Sequence, residues 1–155
     1  MQPVSREGAV VRLQSEPFDS GALLSAFCSD RNQTGAVVSF SGLARGEAGA
    51  VGALELEAYP GFTEAEIGRI ATAAKARFAL QDLIVVHRIG RIAPGETIVF
   101  VATAAAHRRA AFEAADHLMD YLKSRAPFWK KEHGPHGARW IEPTDQDRTD
   151  AARWD

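Results

Sequence analysis

Residues 82–125 read DLIVVHRIGRIAPGETIVFVATAAAHRRAAFEAADHLMDYLKSR, and their pattern decides the fold. Residues 82–89 (DLIVVHRI) and 96–103 (ETIVFVAT) are β-branched apolar runs separated by a connection containing Pro94-Gly95, which predicts a β-hairpin. From about His107 to Arg125 the apolar residues recur at helical spacing, turning Ala111, Phe112, Ala115, Leu118, Met119 and Leu122 inward. Pro127 ends that helix, because the residue before a proline disfavours the α region.

Upstream, residues 9–13 read as a short strand, and Asp19 is placed to N-cap a helix carrying Leu23, Leu24 and Phe27 on one face, with Cys28 at its end. Residues 35–42 (GAVVSFSG) are β-rich. In 51–59 (VGALELEAY) Leu54, Leu56 and Ala58 alternate with Glu55 and Glu57, as a half-exposed strand does. LARGEAGA between them is a polar, glycine-bearing loop. Pro60-Gly61 stops the second strand, and Thr63 with Glu66 forms the expected capping box of a helix buried through Ile67, Ile70, Ala71, Ala74 and Phe78. Downstream, PFWKKEH and ARWIEP read as a last β pair about GPHGA, leaving a polar C-terminal tail from about Thr144. The sum is an α+β fold, a mixed and mostly antiparallel sheet packed with helices, in one domain over residues 1–155.

Eighteen Lys and Arg against twenty Asp and Glu leave a net charge of -2, which argues against whole-molecule attraction to nucleic acid or to an anionic membrane. Any basic site is therefore local. The single cysteine, Cys28, forms no internal disulfide or thiolate cluster and reads as a small buried hydrophobe. Residues 98–106, the longest uncharged apolar run, are about half a membrane span, and MQPVSREGAV has no signal-peptide core. The expectation is a cytoplasmic protein with no membrane and no nucleic-acid partner.

Phosphate-loop, dinucleotide, C-x-x-C, H-E-x-x-H and G-x-S-x-G motifs are absent. His133 and His136 have the look of a metal pair, but they flank a Gly-Pro turn without further ligands, so no metal site is expected. His87, inside an apolar strand, reads as a core or edge histidine, and His117, among charged neighbours, as solvated. His107-Arg108-Arg109 stands where a strand hands over to a helix. Free N–H groups and the dipole favour an anion there, although a solvated cluster explains the residues equally well. Arg45, in the glycine-bearing loop, is a weaker anion-binding candidate.

From Lys123 to Arg139 there are five Lys or Arg and one acidic residue, a local net of +4, interleaved with Pro127, Phe128 and Trp129. Aromatics that shield a lysine from water lower its pKa and make it a better nucleophile or base. The plainer alternative is a basic helix end followed by a core aromatic pair.

Together the segments GAVVSFSGLAR (35–45), LELEAYPGFTE (54–64), VVHRIGRIAPGE (85–96), IVFVATAAAHRRAAFEA (98–114) and MDYLKSRAPFWKKE (119–132) resemble the large, catalytic subunits of molybdopterin synthases. The resemblance implies an α/β hammerhead-type fold and a homodimer that forms a heterotetramer with a small ubiquitin-like sulfur carrier ending in Gly-Gly. It implies sulfur transfer, in which the carrier's thiocarboxylate supplies two sulfurs to cyclic pyranopterin monophosphate to make molybdopterin, without a metal or redox cofactor. The family's functional lysines fall on Lys123 and Lys130, and its substrate-binding positions on Leu43, Ala44, Arg45, His107, Arg108, Lys123, Lys130, Lys131 and Glu132. Leu43, Gly46 and Thr144 depart from residues the family often carries nearby.

If His107 and Lys123 share one helix, sixteen residues separate them by roughly 24 Å, too far for one small pterin. The expectation is a composite site, with His107 and Arg108 from one protomer and the lysines from the other. The alternatives are a non-catalytic RNA-binding module that stacks bases on Phe128 and Trp129, or a carrier-docking module, each built on residues 123–139.

Overall fold

The computed structural model describes residues 9–46, 52–135 and 137–155. In chain order the described residues form β1 (Val10–Gln14), α1 (Ser20–Cys28), β2 (Ala36–Leu43), β3 (Ala53–Ala58), α2 (Phe62–Arg77), β4 (Asp82–Arg88), β5 (Gly90–Ile92), β6 (Thr97–Ala105), α3 (Arg108–Ser124), β7 (Phe128–Gly134), β8 (Gly137–Ile141) and α4 (Asp145–Ala152). The expected α+β class holds. The strands divide into two sheets, ordered β1-β4-β6-β2 and β5-β3-β7-β8, rather than one. Every pairing is antiparallel except β1 with β4.

The expected hairpin is present, since β4 and β6 pair from Asp82↔Ala104 to His87↔Val99. Its connection does more than turn. Gly90 has φ +82, a conformation a side chain would strain, and there the chain leaves the first sheet and lays β5 against β3 of the second.

β4 is buried along its whole length because both faces of the first sheet are covered. Leu83 and Val85 face the core made with Ile67, Ala71 and Ala74 of α2 and Ala111, Ala114 and Leu118 of α3. Ile84 and Val86 face Phe27 of α1. Leu54, Leu56 and Ile92 form a third cluster on the inner face of the second sheet. Phe128 packs against both the first cluster and the third, so it sits where the two sheets meet. Each fully buried Leu, Ile or Val here is worth about 1.5–3 kcal/mol of transfer free energy.

Asp19 caps α1 as expected, its carboxylate accepting from the Ala22 N–H. Several other expectations give way. α2 begins at Phe62 with Gly61 as N-cap and no side-chain cap, while Thr63 is buried and its hydroxyl is committed to Tyr59 and Pro127. Cys28 is exposed, because Phe27 takes the buried position at the end of α1. The buried residues of α3 are Ala111, Ala114, Ala115, His117, Leu118, Tyr121 and Leu122, with Met119 partly buried against them, so of the expected inward stripe Phe112, about 100° round from Ala111, is the residue left exposed.

The polar residues after Thr144 form α4, opened by a capping box in which Thr144 and Asp147 exchange hydrogen bonds. The segment is clasped to α3. The Trp154 indole N–H donates to Asp120, Arg153 pairs with Asp116 and Asp120, and Arg125 and the Tyr121 hydroxyl meet Asp155. Trp154 and Phe78 enclose His117, which is buried rather than solvated.

Candidate active site

Two lysines converge from different elements. Lys123 lies in the last turn of α3, where a cation complements the helix dipole, and Lys130 is the third residue of β7. Between them the chain bends through Pro127. Thr63 holds that bend by donating a 2.9 Å hydrogen bond to the Pro127 carbonyl while accepting one of 2.8 Å from the Tyr59 N–H. Lys130 is half-buried, and its pKa lies below the ordinary lysine value. Burial is the main cause, and the charge of Lys123 adds to it, against an opposing pull from Glu132 and Asp147.

Strand alternation sorts the rest of β7. Phe128, Lys130 and Glu132 share one face; Trp129 and Lys131 take the other. On the Lys130 face, Lys130 stands opposite Leu56, and Glu132 pairs with Arg139 at 3.3 Å. Lys131 instead lies over the Trp140 ring, 5.0 Å from its centroid. Trp129 meets Tyr59 through its indole N–H and an edge-on ring contact.

His87, expected as a core or edge histidine, is buried, and it lies close enough to both lysines to feel their charge. Alternation on β4 turns it to the α2 and α3 side, and its ring stacks on Phe128, with centroids 4.3 Å apart and planes 20° apart. Burial pushes its pKa down to about 4 against a hydrogen bond from its own ring to the Arg88 carbonyl, and the charges of Lys123 and Lys130 push the same way. Arg88 is itself clamped by Ser15, Arg91 and Glu96.

His107 and Arg108 lie elsewhere. His107 is the N-cap of α3, exposed, making no side-chain cap bond, and no acidic residue stands in the first turn. α3 is continuous, so about 24 Å of helix rise separates His107 from Lys123. The ladder between β2 and β6 pairs Ala36 with Ala105 and Leu43 with Thr97. His107 therefore follows the Ala36 end, and Leu43, Ala44 and Arg45 follow the other. α3 runs back over β6, its Ala111 carbonyl held by Thr103, which carries Lys123 toward the Leu43 end. Ala44 is buried and bonded to Glu96 and Gly95, while Leu43 and Arg45 are exposed. At the far end Gly35 is required, since a Cβ there would sit 1.9 Å from the Ala106 carbonyl oxygen.

The family model described as MoaE protein matches residues 13–125. The chain belongs to the MoaE family. It is 71% identical to a molybdopterin synthase catalytic subunit of Caulobacter vibrioides over 94% of this chain and 97% of that protein. It is 59% identical to one of Mesorhizobium japonicum over 93% and 92%. Among solved structures, a molybdopterin biosynthesis MoaE protein of Burkholderia ambifaria superimposes with a TM-score of 0.80 at 43% identity, covering 94% of this chain and 97% of that one. A molybdopterin synthase of Staphylococcus aureus does so with a TM-score of 0.75 at 27% identity, covering 84% and 95%.

In this MoaE chain, then, the expected site residues fall into three places. Lys123, Lys130 and Glu132 lie about the Pro127 bend, Leu43 to Arg45 lie at the same end of the first sheet, and His107 and Arg108 lie at the opposite end. Lys131 faces away from Lys130. His133 pairs with Glu55 at 3.5 Å, and His136 lies outside the described residues. Among the described residues, no three His, Cys, Asp or Glu side chains gather as a metal site, and no helix is long and apolar enough to cross a membrane.

Proposed function

We propose that this chain is the catalytic subunit of a molybdopterin synthase, moving sulfur from the thiocarboxylated C-terminus of a small carrier subunit onto cyclic pyranopterin monophosphate. The observation that carries the reading is the pairing of a desolvated Lys130 with Lys123 about a rigid Pro127-Phe128 bend in a MoaE fold. A lysine beside the carrier's acyl carbon stabilises the oxyanion that forms there. Lys130, its pKa lowered, also holds a larger share of neutral amine near pH 7 and moves a proton more readily than an ordinary lysine. Sulfur arrives with the carrier, so the reading calls for no metal or redox cofactor, and it places the protein in the cytoplasm.

The phosphate cradle comes from a second copy. β2 is the edge strand of its sheet and carries exposed Phe40 and Leu43, and Phe112 of α3 is also exposed. Such an edge favours pairing. A two-fold antiparallel seam along β2 sets the Leu43 end of one protomer beside the Ala36 end of its partner. His107 and Arg108 of one chain then reach the Arg45, Lys123 and Lys130 end of the other. Two such copies with two carriers make the heterotetramer. The RNA-binding alternative finds no support in the relatives, and Phe128, stacked under His87, is not free to stack a base. Incubation with thiocarboxylated carrier and cyclic pyranopterin monophosphate tests the proposal: molybdopterin forms, and the Lys123→Ala variant forms none. Undiminished product with Lys123→Ala removes that residue from the mechanism.

A further inference from the structure

His87 is 7% exposed, stacked on Phe128 and bordered by the charges of Lys123 and Lys130. Its Nδ1 lies 2.7 Å from the Arg88 carbonyl oxygen. A carbonyl only accepts, so Nδ1 carries the proton, and in the neutral ring Nε2 is left as a bare lone pair. Burial and the two lysines keep the ring neutral at working pH. Among the described residues no donor reaches Nε2, yet it is not one of the buried atoms sealed off without a partner, as His117 Nδ1 is. A nine-tenths buried side chain thus presents one unused acceptor beside two ammonium groups.

We infer that His87 is a ligand-binding residue of this site, its Nε2 accepting a hydrogen bond from an N–H of the substrate's heterocycle while Lys123 and Lys130 engage anionic or carbonyl oxygens. The choice of ligand rests on the function proposed above. A thiocarboxylate and a phosphate diester are acceptors only and have nothing to donate to Nε2. A pterin carries ring and exocyclic N–H donors next to its acceptors, so one neutral acceptor among donors recognises the heterocycle and not the anion. The flat His87–Phe128 stack holds the imidazole edge at one fixed angle, and the Arg88 clamp holds its tautomer.

Three variants separate this from a packing role. His87→Gln keeps an acceptor near the reach of Nε2, His87→Asn reaches only as far as Nδ1, and His87→Phe keeps the stack alone. In steady-state assays with saturating carrier, Asn and Phe are expected to raise KM for cyclic pyranopterin monophosphate about tenfold, equivalent to about 1.4 kcal/mol, with kcat changed less than about threefold. Gln stays within about threefold of wild type in both constants, and KM for the carrier is unchanged throughout. A Phe variant that equals wild type, or a Gln variant as impaired as Phe, overturns the inference. Because the variants test folding as well, the wild-type protein supplies a second measurement. The imine-type ¹⁵N resonance of His87 Nε2 moves upfield when cyclic pyranopterin monophosphate binds, and an unmoved resonance with substrate bound overturns the inference independently. Wild-type protein that neither binds nor converts the pterin ends the functional reading and this assignment with it, whereas normal turnover with an indifferent His87 ends only this assignment.

Discussion

The Thr63 hydroxyl, buried in the first turn of α2, donates to the carbonyl of Pro127, sixty-four residues further along the chain, at 2.9 Å. One hydrogen bond thereby ties the start of a helix to the bend that spaces Lys123 from Lys130. Thr63→Val keeps the shape and removes both of its bonds, leaving the Pro127 carbonyl and the Tyr59 N–H unsatisfied. The expected cost is about 1–3 kcal/mol in urea unfolding, with a fall in turnover larger than the rise in KM. Thr63→Ser restores most of both.

Lys130 owes part of its lowered pKa to Lys123. Removing that neighbour as Lys123→Met should raise the Lys130 pKa, read from the ¹³Cε shift of labelled lysine against pH. Lys130→Arg keeps the charge and surrenders the proton, and a loss of about a hundredfold or more in turnover is expected if Lys130 works as an acid or base. An Arg variant of near-normal rate would leave Lys130 a purely electrostatic role.

His87 and His117 both have folded pKa values pushed down to about 4, chiefly by burial, from an ordinary 6.5. Below pH 6.5 the unfolded chain binds protons that the folded chain refuses, so stability falls as pH drops from about 6.5 toward about 4 and is level above. For His87 the loss at pH 5 is about 2 kcal/mol. Urea midpoints measured across this window should fall, and His117→Phe should flatten the slope. A flat profile in the wild type contradicts the burial of both rings.

The α4 clasp stands on Trp154, which touches Phe78 and His117 and donates to Asp120 at 2.6 Å. Trp154→Ala should cost about 3 kcal/mol in stability, read by thermal or urea unfolding, and should raise the pKa of His117 by admitting water.

Much of this was legible in the residues. Period-2 alternation located β3, continuous β-branched apolar runs located β4 and β6, period 3.6 located α3, and Pro127 marked where α3 stops. The division into two sheets was not legible, because β3 pairs with β7, some seventy residues further on, and because Gly90, whose positive φ sends β5 to that second sheet, sits inside runs that look like one hairpin. The polar composition of residues 145–155 concealed a helix because its partners, Asp116, Asp120 and Arg77, are distant in sequence. His117 was misplaced for the same reason, since the tryptophan covering it lies in that segment. At the site, charge and aromatics drew attention to Lys123 and Lys130, and helix length alone separated them from His107. His87 carried no local signal, since its meaning comes from Phe128 stacking on it across two sheets.

In the proposed dimer each lysine pair works with the His107 and Arg108 of a second protomer. Lys123→Ala and His107→Ala subunits bearing different tags can be co-expressed and the mixed dimers purified through both tags. Each parent homodimer should be inactive, while the mixed dimer, holding one intact composite site of two, should make molybdopterin at about half the wild-type rate. A mixed dimer as inactive as its parents would rule out a site shared between protomers.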